Sequence, residues 1–186
     1  TKYGVPQEST VICMVGTVKG MKNPDTILRS VAKFNTKEQE KIKPFVLFAG
    51  GGDKLQDMKE LAQEMGVDKQ VKFLGNIAKE NVNEIYKLSD IYVIASDYEG
   101  TSVSLLEAMY NKKPIIASKA RGIVDMLIDN YNCLMFNTKN DLELKYAVVR
   151  MSTDKDLAAE LSNNAQKTYN GKYCYSNIIK EYKKYL

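Results

Sequence analysis

The 186-residue chain contains no histidine. That removes the commonest general base and the commonest transition-metal ligand from any chemistry it performs alone. Cysteine is scarce: Cys13, Cys133 and Cys174 are odd in number and form no C-x-x-C spacing. Cys13 and Cys133 lie in apolar runs and read as reduced structural thiols, so a cytoplasmic setting is expected. No stretch reaches transmembrane length, and no signal peptide opens the chain. The first residue is Thr rather than Met, in the polar segment TKYGVPQEST, an opening expected of a fragment cut from a longer protein. Charge of one sign is not concentrated either. The net charge is +4 with the lysines dispersed, so no nucleic acid partner is expected. Two phosphate signatures are missing as well. No Gly-Lys-Ser or Gly-Lys-Thr triplet follows a glycine loop, and the first loop is not G-x-G-x-x-G.

What is present is one domain of ordinary size, 44% apolar, long enough for a real core. Short β-branched runs alternate with amphipathic stretches. Strands are expected at Thr10 to Gly16, Pro44 to Ala49, Val71 to Leu74, Ile91 to Ala95, Pro114 to Ala117 and Cys133 to Phe136. Asn23-Pro24 reads as an N-cap with proline at the first helical position, and Ile27, Leu28, Val31 and Phe34 as that helix's inner face. A second helix carries Leu55, Met58, Leu61, Ala62 and Met65 and closes at Gly66. A third runs through Val82, Ile85 and Tyr86, and a short one lies near Ile123 to Ile128. Three more close the chain over about 140–186, near Leu142 to Met151, Asp154 to Tyr169 and Asn177 to Tyr185. This alternation predicts an α/β fold: a Rossmann-like, doubly wound parallel sheet of about six strands with helices on both faces. Ligands of such sheets bind beyond the carboxyl ends of the strands, and there the turn residues gather: Gly16 to Gly20, Gly50 to Gly52, Gly75, Glu99-Gly100 and Arg121-Gly122.

The stretch Asp97 to Pro114, DYEGTSVSLLEAMYNKKP, organises the rest. A buried strand stops at Gly100, Thr101 or Ser102 can cap, and Val103, Leu106, Met109 and Tyr110 recur at helical spacing. A helix entered this way aims its unpaired N–H groups and its dipole's positive end at whatever lies beyond the strand, an arrangement suited to phosphate. Glu99 and Glu107 flank the helix start. Two carboxylates would repel a phosphate but accept readily from hydroxyls, so a sugar diol on each side of a phosphate would satisfy all three elements. The plainer alternative makes Ser104 and Glu107 a capping box and Glu99 a solvated loop acid.

Glu99-Gly-Thr-Ser-Val-Ser-Leu-Leu-Glu107 resembles the Glu, seven residues, Glu motif of retaining glycosyltransferases with the GT-B fold, family 4 type. The similarity runs from about Tyr3 to Tyr185. It includes Val15-Gly16 through Asp25, Ala49 to Gly52, Phe73 to Asn76, Leu88 to Asp90, Pro114 to Ser118 and Asn132 to Phe136. The resemblance implies that residues 1–186 are the C-terminal, donor-binding half of a larger two-domain enzyme whose N-terminal domain binds the acceptor. It implies Lys22 at the donor diphosphate, with the backbone of Gly16, Thr17, Gly100, Thr101, Ser102 and Val103 around it. It places Glu107 at the ribose hydroxyls, Glu99 at the transferred sugar, and the backbone of Asn76 and Ile77 at the base. Lys22 and Glu99 are the implied catalytic residues. No metal and no cofactor is implied. The substrate would be a nucleotide-diphosphate sugar, and the acceptor a glycan, lipid or other molecule, with peripheral association of the whole enzyme at the inner face of the membrane. Three positions depart from the family pattern. Thr17 stands where an arginine is usual, with Lys19 as a candidate substitute; Lys112 replaces a glycine before strand five; and Arg121 also stands where glycine is frequent. The missing arginine keeps a second reading open, a non-catalytic nucleotide-sugar-binding or interaction module with the same fold.

Overall fold

A computed structural model describes residues 3–182. Six strands, β1 (Thr10–Val15), β2 (Pro44–Ala49), β3 (Val71–Gly75), β4 (Ile91–Ile94), β5 (Ile115–Ser118) and β6 (Leu134–Phe136), form one sheet in the order β3-β2-β1-β4-β5-β6. Every pairing is parallel. The helices are α1 (Pro24–Ala32), α2 (Thr36–Ile42), α3 (Leu55–Glu64), α4 (Lys79–Leu88), α5 (Val103–Tyr110), α6 (Asp141–Thr153), α7 (Lys155–Thr168) and α8 (Tyr175–Tyr182).

The strands read as unbroken apolar runs because both faces are covered. Successive residues point to opposite sides, and the core divides accordingly. Ile12, Met14, Val46, Phe48, Ile91 and Val93 pack under α1, α3 and α6. Val11, Cys13, Phe45, Leu47, Tyr92 and Ile94 pack under α4 and α5. Burial of Cys13 and Cys133 pushes both thiols up to about 12, so they behave as small apolar groups. The strand order reverses between β1 and β4, which opens a crevice at their carboxyl ends.

Several elements differ from expectation. Helix α2 lacks apolar periodicity, yet Asn35 and Glu38 form a reciprocal capping box at its start, and the buried Lys145 of α6 donates to Glu38 at 2.6 Å. Ile123 to Ile128 is a series of turns rather than a helix. Ile123, Met126 and Leu127 are still buried, but the Asn132 side chain takes the Ile128 N–H at 2.7 Å, which ends any helical ladder there. On α5 the inward residues are Leu105, Ala108 and Met109, whereas Val103 and Tyr110 are exposed. Asn23 occupies the N-cap position of α1 but is left-handed and caps nothing with its side chain. A π-helical segment, Tyr169–Tyr173, joins α7 to α8. The last expected helix runs to Tyr185, and its residues 183–185 lie outside the described residues. Among the described residues no helix is long and apolar enough to cross a membrane.

Candidate functional site

The loops after β1, β2 and β3 are laced together. Val18 N–H donates to Gly51 O at 2.8 Å, and Gly51 N–H to Asn76 Oδ1 at 2.9 Å. The approach is close enough that a Cβ on Gly50 would stand 2.0 Å from Gly16 O. Glycine is required there by contact with backbone, which cannot yield as a side chain can. Thr17 is exposed at the rim, and so is Lys19. A 3₁₀ turn, Gly20–Lys22, then lifts Lys22 toward β4.

Lys22 Nζ donates to Oε1 of Glu99, across 77 residues of sequence. The Glu99 side chain is 9% exposed and that of Lys22 23%, so the pair sits at the floor of the crevice with one side open. Ser96 donates to the same Glu99 oxygen at 2.5 Å, and Ser118 anchors Ser96 through its carbonyl at 2.7 Å. The backbone is equally constrained. Glu99 N–H donates to Arg121 O at 3.1 Å, and a Cβ on Gly122, whose φ is 85°, would lie 1.8 Å from Glu99 O. Asp97 sits between the two loops and accepts from Asn23 at 2.8 Å and from Lys139 at 2.9 Å. Burial alone would raise the Asp97 carboxyl, but the Lys139 and Asn23 hydrogen bonds outweigh it and hold it below its ordinary value.

Helix α5 begins at Val103 behind Ser102, and no side chain caps it. Its first-turn N–H groups therefore lack intrahelical acceptors and face the crevice. Gly100 and Thr101 are exposed beside them. A Cβ on Gly100 would meet open space, so no packing inside the domain demands glycine there.

Glu107 is half-buried one and a half turns into α5. It is the fifth residue of the helix rather than the third, so the Ser104–Glu107 capping box does not form. Instead the Tyr86 hydroxyl bridges Ser104 O at 2.9 Å and Glu107 Oε2 at 3.1 Å. The carboxylate thus leans back toward the first turn, as side chains on helices do. The hydroxyls of Tyr92, Ser104 and Ser102 continue the network at 2.9 and 3.3 Å. A groove of about 260 Å³ extends from Glu107 along Val103, Leu106, Tyr110, Tyr169 and Tyr173.

The structure therefore brings Lys22, Glu99 and the α5 start to one crevice, with Gly16 and Thr17 at its edge. Among the described residues no hydrogen bond or ion pair joins Glu107 to Lys22 or Glu99; it stands on the flank of α5. Asn76 accepts from the Gly51 N–H through its side-chain oxygen and is exposed beside the half-buried Ile77. Arg121 faces solvent and contributes its carbonyl. Sequence reasoning missed Ser96, Asp97, Tyr86 and Lys139. Ser96 and Asp97 carried a signal, two polar residues directly after a buried strand, whereas Tyr86 read as part of a helix's inner face and Lys139 carried none.

The six-stranded parallel sheet with its crevice at the β1/β4 reversal matches the Rossmann-like α/β fold of GT-B proteins. The chain belongs to the glycosyl transferases group 1 family, whose sequence profile matches residues 1–168. An uncharacterized glycosyltransferase of Methanocaldococcus jannaschii, MJ1607, is 29% identical over 178 residues, which are 96% of this chain and 45% of that protein. Among solved structures, Alr3699/HepE of Anabaena in complex with UDP superposes with a TM-score of 0.85 at 19% identity, over 96% of this chain and 50% of that one. The C-terminal domain of a glycosyl transferase group 1 family protein, LpcC of Francisella tularensis, gives 0.77 at 25% identity, covering 89% and 86%. The chain spans under half the length of the curated relatives it matches.

Proposed function

We propose that this domain binds the nucleotide-diphosphate sugar donor of a retaining, metal-independent glycosyltransferase, and that the acceptor site belongs to an N-terminal domain of the same enzyme. One observation carries the reading: Lys22 and Glu99, 77 residues apart, meet beneath the uncapped start of α5. Lys22 and the N–H groups of Thr101, Ser102 and Val103 would hold the diphosphate. Glu99 would orient the sugar, Glu107 the ribose, and the backbone at Asn76 and Ile77 the base. In transfer, the bond from the anomeric carbon to the diphosphate oxygen breaks and its electron pair leaves with the nucleoside diphosphate. The acceptor oxygen then bonds to the same face of the sugar, and its hydroxyl proton passes to the departing diphosphate oxygen. Lys22 and the helix amides would stabilise the departing diphosphate, a task for which preorganised donors suffice without a divalent ion. The Anabaena protein, a structural neighbour, is solved in complex with UDP, which supports a nucleotide ligand.

The test has two halves. The isolated chain should bind UDP weakly and transfer no sugar, because one domain leaves the crevice open to water. The enzyme containing both domains should form product from one member of a nucleotide-sugar panel. Sugar transfer by the isolated chain would overturn the division of labour. Absence of product from every donor, with UDP still bound, would favour a non-catalytic binding module. The exposed Thr17 favours that second reading, since it leaves Lys22 with one fewer cation beside it than the resemblance implies.

A further inference from the structure

The residues on both sides of Lys22 are tied to β4 by a clasp that the proposed donor contacts do not use. Asn23 is 3% exposed and has φ 45° and ψ 52°, a left-handed conformation that asparagine tolerates better than most residues. Its amide Nδ2 donates to Ala95 O at 3.0 Å and to Asp97 Oδ1 at 2.8 Å. On the other side of Lys22, Met21 O accepts the Asp97 N–H at 2.9 Å. Lys22 is therefore held between two residues that both bond Asp97, and Asp97 lies two residues before Glu99.

Asp97 and Glu99 are both carboxylates within reach of one loop, so Lys22 has two potential partners. The structure resolves the competition. One Asp97 oxygen is occupied by Asn23 and the other by Lys139, at 2.9 Å, while Glu99 takes Lys22. A carboxylate already satisfied by a cation and an amide attracts a second cation less.

We infer that Asn23 and Asp97 are positioning residues that set the register of the loop after β1 so that Lys22 meets Glu99, with Lys139 as the counter-ion that keeps Asp97 from capturing Lys22. The consequence for ligand binding rests on the proposed function, whereas the placement of Lys22 does not.

Three variants of the chain separate the contacts. Asn23→Gly keeps the left-handed backbone and removes both side-chain bonds of the clasp; Asp97→Ala removes the clasp's bond to the Asp97 carboxylate together with the Lys139 pair; Asp97→Asn keeps an oxygen for the Asn23 amide. The Lys22 signal is followed by NMR after ¹³C reductive methylation and assigned with Lys22→Arg. In the wild type, Glu99→Gln should move that signal. In Asn23→Gly, and in Asp97→Ala should the glycine variant fail to fold, Glu99→Gln should leave it in place, while Asp97→Asn should retain the response. An equal response to Glu99→Gln in all backgrounds would overturn the inference. UDP titration adds a second measure. Asn23→Gly should weaken UDP binding about tenfold, the scale of one hydrogen bond to a charged group, and should add nothing in a Lys22→Ala background. Equal weakening in both backgrounds would make the clasp merely structural. Failure of wild-type protein to bind UDP would remove the functional reading and leave the clasp to be decided by the lysine signal.

Discussion

Lys22 and Glu99 form an ion pair that no local interaction could create, since 77 residues and three strands separate them in sequence. The pair leaves the lysine a quarter open and the carboxylate nearly closed. An incoming diphosphate would thus meet the cation first and find the acid already turned toward it.

In an enzyme that carries the proposed acceptor domain, Lys22→Ala should lower turnover by roughly 10²–10³-fold, the usual loss for one charge-stabilising donor. Steady-state rates decide it, and a change under about threefold would assign Lys22 to structure alone. Chelators should leave the wild-type rate unaltered.

Glu107 and Glu99 should separate by ligand. Glu107→Gln should weaken UDP itself, because a charge-assisted hydrogen bond becomes neutral. Tyr86→Phe should do the same to a lesser degree, by freeing the carboxylate that its hydroxyl holds at 3.1 Å, and should have no effect on a 2′-deoxy analogue. Glu99→Ala should leave UDP affinity near wild type and reduce the extra affinity contributed by the sugar of UDP-glucose. Calorimetry with the three ligands is the measurement; identical effects of Glu99→Ala and Glu107→Gln on all of them would refute the assignment.

Two backbone positions should respond in opposite directions. Gly122→Ala forces a side chain to φ 85° and places its Cβ 1.8 Å from Glu99 O, so a loss of at least about 2 kcal/mol is expected, together with loss of sugar binding. Lys112 carries a left-handed φ of 54°, so Lys112→Gly should stabilise by roughly 0.5–1 kcal/mol once the flexibility of glycine is subtracted. Denaturant unfolding reads both. A destabilised Lys112→Gly would show that the lysine makes compensating contacts.

Stability should fall on the alkaline side. Burial raises the phenols of Tyr86 and Tyr92 above their ordinary value, as it does the Cys13 and Cys133 thiols. The folded state therefore keeps protons that the unfolded chain releases at about pH 9–10, so stability falls from that range upward until the folded groups themselves titrate. Melting temperatures between about pH 8 and about pH 11 should decline, and Tyr92→Phe should flatten the decline by removing one such group. An unchanged slope in that variant would exclude Tyr92 as a contributor.

The sequence by itself determined the six strands and most helices. Short apolar runs, several of them bounded by glycine or proline, have few alternatives once amphipathic segments alternate with them, and parallel crossovers then fix the layout. It also offered Glu99 and Glu107 as candidates, because their spacing from a strand end and a helix start is a local property, whereas Lys22 entered only through the resemblance to the GT-B family. It misjudged segments whose structure depends on partners. The residues of α2 show no apolar stripe and form a helix held by the Asn35–Glu38 capping box and Lys145; Ile123 to Ile128 shows the stripe but loses its helix to Asn132. Only the tertiary structure decided which carboxylate Lys22 would meet, since Asp97 and Glu99 are equally near in sequence. It decided, too, that Tyr86, a core residue by pattern, turns its hydroxyl to Glu107. Long-range hydrogen bonds of this kind depend on the register between strands and the loops they carry, which residue periodicity does not encode.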